Sequence, residues 1–590
     1  MKNPLEFYTQ EKLTLENEAK SLKNKSANLS VFRFAVFLVT CFLIYLTFGT
    51  YPDVFIIAFL GFLLFGFLVI KYLNLKKERN IIIEKIRINA TEIKIIKGNS
   101  HHLESGEEFV NPTHFYSNDI DLFGIGSFFQ FINRTVTKDG KSLLANTLTE
   151  NKIEGIVEKQ LVVKELSQKT KWRQHFNAIA SLVTVKNTTG FIADWIGDYT
   201  SVLPSFLSVL TKVFSVVSVV LISLVAFGVV SFSYITIWFF LGLFITGRYL
   251  KKTSSLYSET DKVRETFKQY HELLNEIENE GFESKTLKEK QEIIKSEDKK
   301  ASSIFKSFSK ILDAFDQRNN ILIAVVGNGL FLTEINNACS VEKWISSYKH
   351  TVEKWFEVVA FFDANNSLGN LVFNHPNYIF PEITSEKNVV FATNLGHPLL
   401  TSEKRVDNNF SIKKEEFFIV TGANMAGKST FLRTVSLSIV MANCGLPVCA
   451  ESFVYAPIKL ITSMRTSDSL TEDESYFYSE LKRLKFIVDE ITTEDYFIIL
   501  DEILKGTNSK DKAIGSKKFV EKLTKSKSTG IIATHDVSLC DLENEFSGIK
   551  NYYFDAEIIN DELHFDYTFK KGICKNMNAS FLLKKMEIVD

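Results

Sequence analysis

The chain is poor in cysteine, and its cysteines show no arrangement typical of disulfides or zinc sites. The six cysteines in 590 residues form no CxxC pair and no cluster with histidine at the spacing of zinc ligands. Such isolated cysteines are typical of reduced thiols in a cytosolic protein. The pattern therefore argues against a disulfide-stapled fold and against a zinc finger.

An excess of charge of either sign is also absent. The 69 basic and 70 acidic side chains nearly balance, so the composition carries no global nucleic-acid signature and any DNA affinity would have to be local. A cleaved signal peptide is not expected, because a long polar segment precedes the first apolar run and no small-residue cleavage site follows that run.

Long apolar runs, by contrast, are present at residues 34–49, 54–70, 213–230 and 234–250. A membrane-spanning helix needs about 20 mostly apolar residues, so each run qualifies once its flanks are included, the fourth least clearly. We predict two transmembrane helical hairpins, with helices at about 31–50 and 53–71 and at about 212–230 and 233–250. The alternative is two buried hairpins in a large soluble core, although buried helices are usually shorter and amphipathic.

Basic residues flank each hairpin at its two ends and are absent from its turn. Around the first hairpin they are Lys20, Lys23, Lys25, Arg33, Lys71, Lys76, Lys77 and Arg79, and around the second they are Lys212, Arg248, Lys251 and Lys252. By the positive-inside rule, this distribution predicts a multi-pass protein of the cytoplasmic membrane. Its N-terminus, residues 71–211 and the C-terminal part would lie in the cytoplasm.

Residues 421–430 read TGANMAGKST and lie between an apolar run and a helical pattern. This spacing is that of a phosphate loop, in which backbone N–H groups and a helix N-terminus surround the phosphates of a nucleoside triphosphate. Lys428 would reach the β- and γ-phosphate oxygens, and Ser429 would bind Mg²⁺. The predicted ATP-binding set is Gly422, Ala423, Asn424, Met425, Ala426, Gly427, Lys428, Ser429 and Thr430.

A second apolar run, residues 496–500, ends in Asp501 and Glu502. An ATPase needs such a pair, because one carboxylate holds Mg²⁺ and the other orients or deprotonates the attacking water. We assign the metal to Asp501, beside Ser429, and the water to Glu502. The alternative is an ordinary strand end with exposed acids.

A third run, residues 530–534, ends at His535. Following the phosphate loop and the Asp-Glu strand, this histidine is predicted to sense the γ-phosphate or to position the water. Lys428, Glu502 and His535 are thus the candidate catalytic residues, although a histidine at a strand end often has no such role.

Ser475 precedes an amphipathic helix that carries Phe477, Leu481, Leu484, Val488 and Ile491 on one face. A helix N-terminus attracts anions, so Ser475 could complete an ATP site in trans across a dimer. The alternative is a simple helix cap.

Together these segments resemble the ATPase domain of the MutS family, the mismatch-repair branch of ABC-type ATPases. Residues 421–430 are similar to its phosphate loop, 500–507 to its Walker B strand and following loop, 533–535 to its switch histidine and 475–480 to its trans-acting signature. Upstream, residues 131–140 resemble the start of the family's helical core, and residues 363–383 with 396–398 resemble the start of its ATPase domain. The resemblance implies Mg²⁺-dependent ATP hydrolysis coupled to conformational change, a homodimer through the ATPase domains, and DNA as a ligand.

The chain also departs from the family pattern. Nothing before residue 115 resembles the mismatch-recognition or connector domains, and the first hairpin stands there instead. Asp473 and Glu474 occupy positions where relatives carry Gly and Arg, which predicts slow hydrolysis because negative charge would lie near a phosphate in trans. The C-terminal extension that supports the dimer in the family looks truncated.

We therefore predict an all-α core and lever region carrying two transmembrane hairpins, followed by an α/β ABC-type P-loop ATPase domain. The expected units are 1–80 with the first hairpin, 81–200 as core, 201–252 with the second hairpin, 253–384 as a helical lever or arm, and 385–590 as the ATPase. Two functions stay open: a membrane-anchored ATPase that binds DNA, and a membrane ATPase or scaffold that acts on a protein or lipid partner. The equal numbers of basic and acidic residues in 251–318 favour the second.

Overall fold

The structure is a computed structural model that describes residues 3–49, 53–99, 102–183, 188–295, 299–385, 388–423, 425–465, 476–504, 508–559 and 562–574. Its N-terminal region is largely helical and its C-terminal region contains mixed α/β sheets. At this level the predicted fold class is confirmed.

The helical region contains α1 (Pro4–Leu46), α2 (Asp53–Ile96), α3 (Phe128–Ile132), α4 (Lys138–Thr149), α5 (Ile156–Gln168), α6 (Thr170–Ser181), α7 (Thr189–Asp198), α8 (Leu207–Ala226), α9 (Phe232–Asp261), α10 (Arg264–Asn279), α11 (Lys285–Ile294), α12 (Ala301–Asp316), α13 (Ile321–Phe331), α14 (Thr333–Tyr348) and α15 (Val352–Asn374). The C-terminal region adds α16 (Lys428–Asn443), α17 (Tyr476–Glu490), α18 (Ser509–Leu523) and α19 (Leu542–Glu545). Its strands are β1 (Glu382–Ile383), β2 (Asn388–Leu395), β3 (Asn408–Lys413), β4 (Phe417–Gly422), β5 (Ser452–Tyr455), β6 (Lys459–Ser463), β7 (Tyr496–Asp501), β8 (Thr529–Ala533), β9 (Ile549–Phe554), β10 (Glu557–Ile559), β11 (Glu562–His564) and β12 (Lys570–Lys571).

Helices α1, α2, α8 and α9 are long and apolar enough to cross a membrane. Their most apolar windows are only 0%, 6%, 17% and 11% buried within the protein, so these faces need a partner outside the fold. At 43 and 44 residues, α1 and α2 are about 65 Å long, roughly twice the hydrocarbon thickness of a bilayer. The half of each helix that lies outside the apolar window is rich in charge and lies beside the rest of the protein.

Helix α15 lies at the centre of the helical region. Fifteen of its 23 residues are buried, because α4, α5, α10 and α11 pack around it. A dense aromatic cluster joins the same core: Phe267 contacts Phe305 and Phe308, and Phe308 stacks on Trp344 with ring centroids 3.8 Å apart. Helices α10 and α12, which we expected to form a solvated arm, therefore do not stand free, because their apolar faces complete this core.

A six-stranded sheet in the order β12-β9-β4-β8-β7-β6 forms the centre of the C-terminal region. Its strands are parallel except for β12 at one edge. Strands β4 and β8 are continuous buried runs, as expected for a parallel sheet covered on both faces. The carboxyl ends of β4, β7 and β8 consequently meet at one edge, where the predicted site residues lie. A second sheet, β1-β5-β2-β3, packs beside it.

Candidate nucleotide-binding site

The loop between β4 and α16 requires glycine at two positions. Gly422 has φ 152°, and a Cβ there would lie 2.6 Å from the carbonyl oxygen of Phe554. Gly427 has φ 104°, a left-handed conformation that other residues rarely adopt, and it directly precedes α16. The local backbone therefore turns sharply from the strand into the helix, which leaves the first N–H groups of α16 directed toward the loop.

Lys428 is the first residue of α16 and is 6% exposed. Its Nζ donates hydrogen bonds to the carbonyl oxygens of Gly422, at 2.7 Å, and Ala423, at 3.1 Å. Burial lowers the pKa of Lys428, against the opposing effect of the nearby carboxylates of Asp501 and Glu502. The carbonyl oxygens at the start of the loop thus fix the position of the Lys428 ammonium group.

Ser429 and Asp501 lie side by side. The Ser429 Oγ donates to Oδ2 of Asp501 at 2.7 Å, which brings together the start of α16 and the end of β7. A hydroxyl and a carboxylate are oxygen ligands of the kind Mg²⁺ prefers, and Mg²⁺ usually takes its remaining ligands from water and phosphate. No group of three His, Cys, Asp or Glu side chains suited to a metal occurs in the described part of the chain. The donor set therefore fits a nucleotide-bound Mg²⁺ rather than an all-protein metal cage.

Glu502 and His535 form a second pair. His535 Nε2 lies 2.8 Å from Oε1 of Glu502 and 3.4 Å from Nζ of Lys428. Both side chains of the pair are partly exposed, at 25% for Glu502 and 28% for His535, so they remain accessible to water. Glu502 has φ 56°, an uncommon conformation for a non-glycine residue and one often found at functional sites.

Residues 418–586 match the family model described as MutS domain V. Three relatives show the same similarity. Human "MutS protein homolog 4" is 27% identical over 262 residues, covering 42% of this chain and 27% of that protein. "DNA mismatch repair protein MutS" is 28% identical over 272 residues in Finegoldia magna and 33% identical over 210 residues in Clostridioides difficile, covering 45% and 34% of this chain and 30% and 22% of the relative.

Residues 418–586 are therefore similar to domain V of the MutS family. The match spans only about a quarter of the length of these relatives, and it includes the phosphate loop, the Asp501-Glu502 strand end and His535. The structure brings Lys428, Ser429, Asp501, Glu502 and His535 to one edge of the sheet of this MutS domain. Of the remaining predicted loop residues, Met425 is 77% exposed, while Asn424 lies outside the described residues. Ser475, with Asp473 and Glu474, also lies outside them.

One buried acid of the MutS domain was not foreseen. Glu480, on α17, is 3% exposed and accepts a hydrogen bond from the backbone N–H of Leu504. Leu504 has φ 60°, so the chain just after Glu502 is held in a second uncommon conformation. Glu480, the last residue of the signature segment 475–480, therefore connects α17 to the loop that follows Glu502.

A pocket of about 440 Å³ continues from the phosphate loop of the MutS domain, and the sequence did not reveal it. Besides loop residues it is lined by Leu395, His397, Leu400, Lys404, Arg405, Val406, Asn408, Phe431, Thr434, Phe554 and Tyr567. Burial, helped by the charge of Arg433, lowers the pKa of His397 to about 4, so its ring is neutral at pH 7. The aromatic and aliphatic side chains of this lining, beside a phosphate loop, suit a flat heteroaromatic base, and Lys404 and Arg405 add positive charge to the pocket.

The upstream segments with MutS resemblance also meet in space. The Asp363 carboxylate, on α15, accepts hydrogen bonds from Thr137 N at 2.8 Å and Thr137 Oγ1 at 2.6 Å. A Cβ on Gly140 would lie 2.2 Å from Oδ2 of Asp363, so α4 can approach α15 this closely only with glycine there. Burial is the largest cause of the raised pKa of Asp363, about 6, while the bonds from Thr137 and Val136 lower it.

Proposed function

We propose that this protein is a membrane-anchored MutS-like ATPase that binds and hydrolyses Mg²⁺-ATP and uses the cycle to move its helical region against a ligand, DNA being the first candidate. The observation that carries the proposal is the pairing of Ser429 with Asp501 and of Glu502 with His535 at the mouth of one phosphate loop. This arrangement supplies a metal site and a water-positioning site in adjacent places.

Each side chain has a distinct role in this proposal. Lys428 binds the β- and γ-phosphate oxygens and offsets the negative charge that moves during phosphoryl transfer. Bound Mg²⁺ would be held by Ser429 and Asp501 and would neutralise phosphate charge. Glu502 orients the attacking water and accepts its proton, and His535 fixes the Glu502 carboxylate through the 2.8 Å contact.

The protein acts as a homodimer in this proposal. Ser475, near the N-terminus of α17, would approach the γ-phosphate bound by the other subunit. Glu480 would couple this contact to the catalytic loop. It lies on the same helix and accepts a hydrogen bond from the backbone N–H of Leu504, two residues beyond Glu502. Asp473 and Glu474 would slow turnover through their negative charge.

Membrane anchoring rests on α1, α2, α8 and α9, whose apolar windows are almost entirely uncovered by protein. The basic flanks of the hairpins support a cytoplasmic N-terminus and a cytoplasmic ATPase domain, on the side where ATP is available. The protein would then be a multi-pass protein of the cytoplasmic membrane.

A buried polar network connects the two helices of the first hairpin to the end of α15. Glu92 on α2 pairs with Arg134 at 2.5 Å and accepts from Asn374 at 2.8 Å. Tyr8 on α1 donates to the same Asn374 at 2.8 Å. Asn374 ends α15, and the chain then leads into β1 of the ATPase domain. A rotation of that domain relative to the core would therefore move a residue that contacts both helices of the hairpin.

Burial by itself would raise the pKa of Glu92, but the Arg134 charge and hydrogen bonds from Arg134 and Asn374 together hold this pKa below its usual value. Glu92 therefore stays ionised at pH 7, and the connection between α2, the core segment and α15 is charged and directional. Such a connection suits the transmission of movement better than apolar packing alone.

DNA as the ligand is carried over from the relatives, two of which are named as DNA mismatch repair proteins. The second candidate is a protein or lipid partner. It is favoured by the balanced charge of residues 251–318, which gives no phosphate-tracking surface.

The test is the ATPase rate of the detergent-purified full-length protein with homoduplex, mismatched and branched DNA, at low and physiological salt. Stimulation by one DNA structure, with binding that weakens steeply as salt increases, would support DNA. An ATPase that no DNA stimulates, with no salt-sensitive binding, would favour the protein or lipid partner. The Glu502→Gln variant is the control, because it should bind ATP without hydrolysing it.

A further inference from the structure

We propose that α13 is a re-entrant membrane helix, which enters the bilayer from the cytoplasmic side, stops near its middle and presents its apolar face to the acyl chains of the cytoplasmic leaflet. The inference rests on the proposed membrane insertion of the second hairpin, α8 and α9. It adds a third element to that hairpin, in a region that the sequence assigned to the lever.

Helix α13, Ile321–Phe331, is apolar but exposes its side chains. Ile321 is 77% exposed, Leu322 78% and Val326 51%. The helix packs along α9 and also contacts α8, so its exposed face continues the uncovered apolar surface of the hairpin. That continuity identifies the occupant as lipid, since a second solvent-exposed apolar patch of this kind would be unfavourable in water.

The ends of α13 lie at two different depths. Just before its start, Asn319 donates a hydrogen bond at 2.7 Å to the hydroxyl of Tyr257, which lies on α9 beyond the basic residues Lys251 and Lys252. At its end, Gly329 lies against Gly242, where an added Cβ would be 2.3 Å from the Gly329 carbonyl oxygen. Gly242 is near the middle of the predicted span 233–250. Eleven residues rise about 16 Å, roughly half of a 30 Å hydrocarbon core.

Hydroxyl groups of α8 lie against the carbonyl groups at the end of α13. Ser218 donates to the carbonyl oxygen of Leu330, and the Ser215 hydroxyl, which donates within α8 to Thr211 at 2.8 Å, lies 3.3 Å from the carbonyl oxygen of Phe331. A helix that ends inside a bilayer leaves carbonyls without water, so partners of this kind are required there. This requirement also explains why α8 carries serines within an apolar span.

The chain then turns back toward the cytoplasmic side. Leu332 has φ 49°, and α13 and α14 meet at an angle of 83°. Asn328 Oδ1 accepts from the backbone N–H of Glu334 at 2.8 Å, which closes the turn. Glu334 itself is 5% exposed and pairs with Arg318 at 3.2 Å, so its charge faces protein rather than lipid.

A complete crossing does not fit these contacts. Glu342 on α14 accepts hydrogen bonds from Tyr199 and Ser201, which precede α8. The chain thus returns to the side from which α8 starts.

The test uses variants of the full-length protein with one added, accessible cysteine, in lipid vesicles; Cys41 and Cys339, the two native thiols that are not buried, are replaced by serine. An environment-sensitive fluorophore is attached at Val326→Cys on α13, a 51% exposed position about one and a half turns into the helix. The lipid-facing control is Val216→Cys on α8, which is 64% exposed, and the aqueous control is Lys285→Cys, whose side chain is 91% exposed. Each variant must retain ATP hydrolysis to show that it is folded.

We expect spin-labelled lipids to quench the fluorophore at Val326→Cys and at Val216→Cys, and iodide to quench both several-fold less than at Lys285→Cys. A membrane-impermeant maleimide should label Lys343→Cys on α14 only from the cytoplasmic side. Iodide quenching at Val326→Cys equal to that at Lys285→Cys, with Val216→Cys still in lipid, would overturn the re-entrant helix alone. Labelling of Lys343→Cys only from the opposite side would also overturn it. Iodide access at Val216→Cys would instead overturn the membrane hairpin of the proposed function.

Discussion

The polar side chains of the nucleotide site and those of the helical region differ in what surrounds them. At the site, Glu502 and His535 are a quarter or more exposed and lie where water and a ligand can reach them. In the helical region, Glu92 and Asp363 are 2% and 0% exposed, and other residues already occupy their hydrogen-bonding positions. Polar groups of the first kind are available for chemistry, whereas those of the second kind fix the relative positions of helices.

This difference makes the two regions respond differently to substitution. A change at the site should remove function and leave the fold intact, because few groups there are left buried without a partner. A change in the buried networks should destabilise the fold, because a charge or polar group remains inside without its partner.

The largest loss of stability should follow Glu92→Gln. This change leaves Arg134, whose side chain is 10% exposed, without its carboxylate, and removing one partner of a buried ion pair costs about 3 kcal/mol or more. Thermal unfolding in detergent should show the loss, with ATP affinity of the folded protein unchanged. Glu84→Gln on the same helix is the matched control, since its pair with Arg87 is on the surface and is worth at most about 1 kcal/mol. Equal effects of the two changes would contradict the buried network.

Lys428→Ala should lower ATP affinity about 100-fold, equivalent to about 2.7 kcal/mol, because the phosphates lose their charged partner. The measurement is the equilibrium binding of a fluorescent ATP analogue, together with the melting temperature. Lys414→Ala, an exposed lysine in the turn before β4, should change neither. A marked fall in melting temperature with nearly normal ATP binding would show that Lys428 stabilises the fold instead of binding the nucleotide. It would contradict the difference between the site and the buried polar networks.

Tyr8→Phe removes only the hydroxyl that donates to Asn374 and, at 3.3 Å, to Asn370. It should cost about 1 to 2 kcal/mol, because buried acceptors lose a donor. The comparison is Tyr45→Phe, in the apolar half of the same helix, where the side chain is 77% exposed. If Tyr8→Phe unfolds at the same temperature as Tyr45→Phe, the N-terminal helix is not held by this contact.

The smallest effect should be a pH dependence from His397. Because burial lowers its folded pKa to about 4 from an unfolded value of about 6.5, the unfolded state binds more protons between these values, and stability is lost as pH falls through this window. Since the ring is partly exposed, we expect about 1 kcal/mol. His397→Gln should flatten the dependence between pH 6.5 and 4, and His564→Gln, an exposed control, should not. Identical profiles for wild type and His397→Gln would contradict this assignment.

The sequence could group the residues of the candidate nucleotide site, because a phosphate loop and an Asp-Glu strand end are local patterns tied to one chemistry, and the structure brings these residues together. It could not indicate the pocket next to them. His397 lies in the segment 396–398, which has family resemblance but implies no role for its ring, and Tyr567 lies far away in the sequence; only the fold brings both to one pocket. The hydrogen bond between Glu480 and Leu504 could not be predicted for a different reason. From the sequence alone, a buried glutamate on an amphipathic helix cannot be distinguished from a surface glutamate.

In the helical region, the apolar runs predicted four long helices, and such helices are present. Nothing in the sequence indicates that α13 joins them, because a mostly apolar segment of eleven residues is too short for a membrane span and resembles part of a core helix. Nor could it pair Tyr8 with Asn374, because buried polar contacts between distant helices depend on topology rather than on spacing.

The central claim is that one chain holds a Glu502-dependent ATPase in a membrane. The most direct measurement is ATP hydrolysis by proteoliposomes that have been washed with alkaline carbonate, for wild type and for Glu502→Gln. We predict that the protein stays in the vesicle pellet, that wild type hydrolyses ATP, and that Glu502→Gln binds ATP while its turnover falls at least about 100-fold. Release of the protein by carbonate, or equal turnover by the two proteins, would contradict the account.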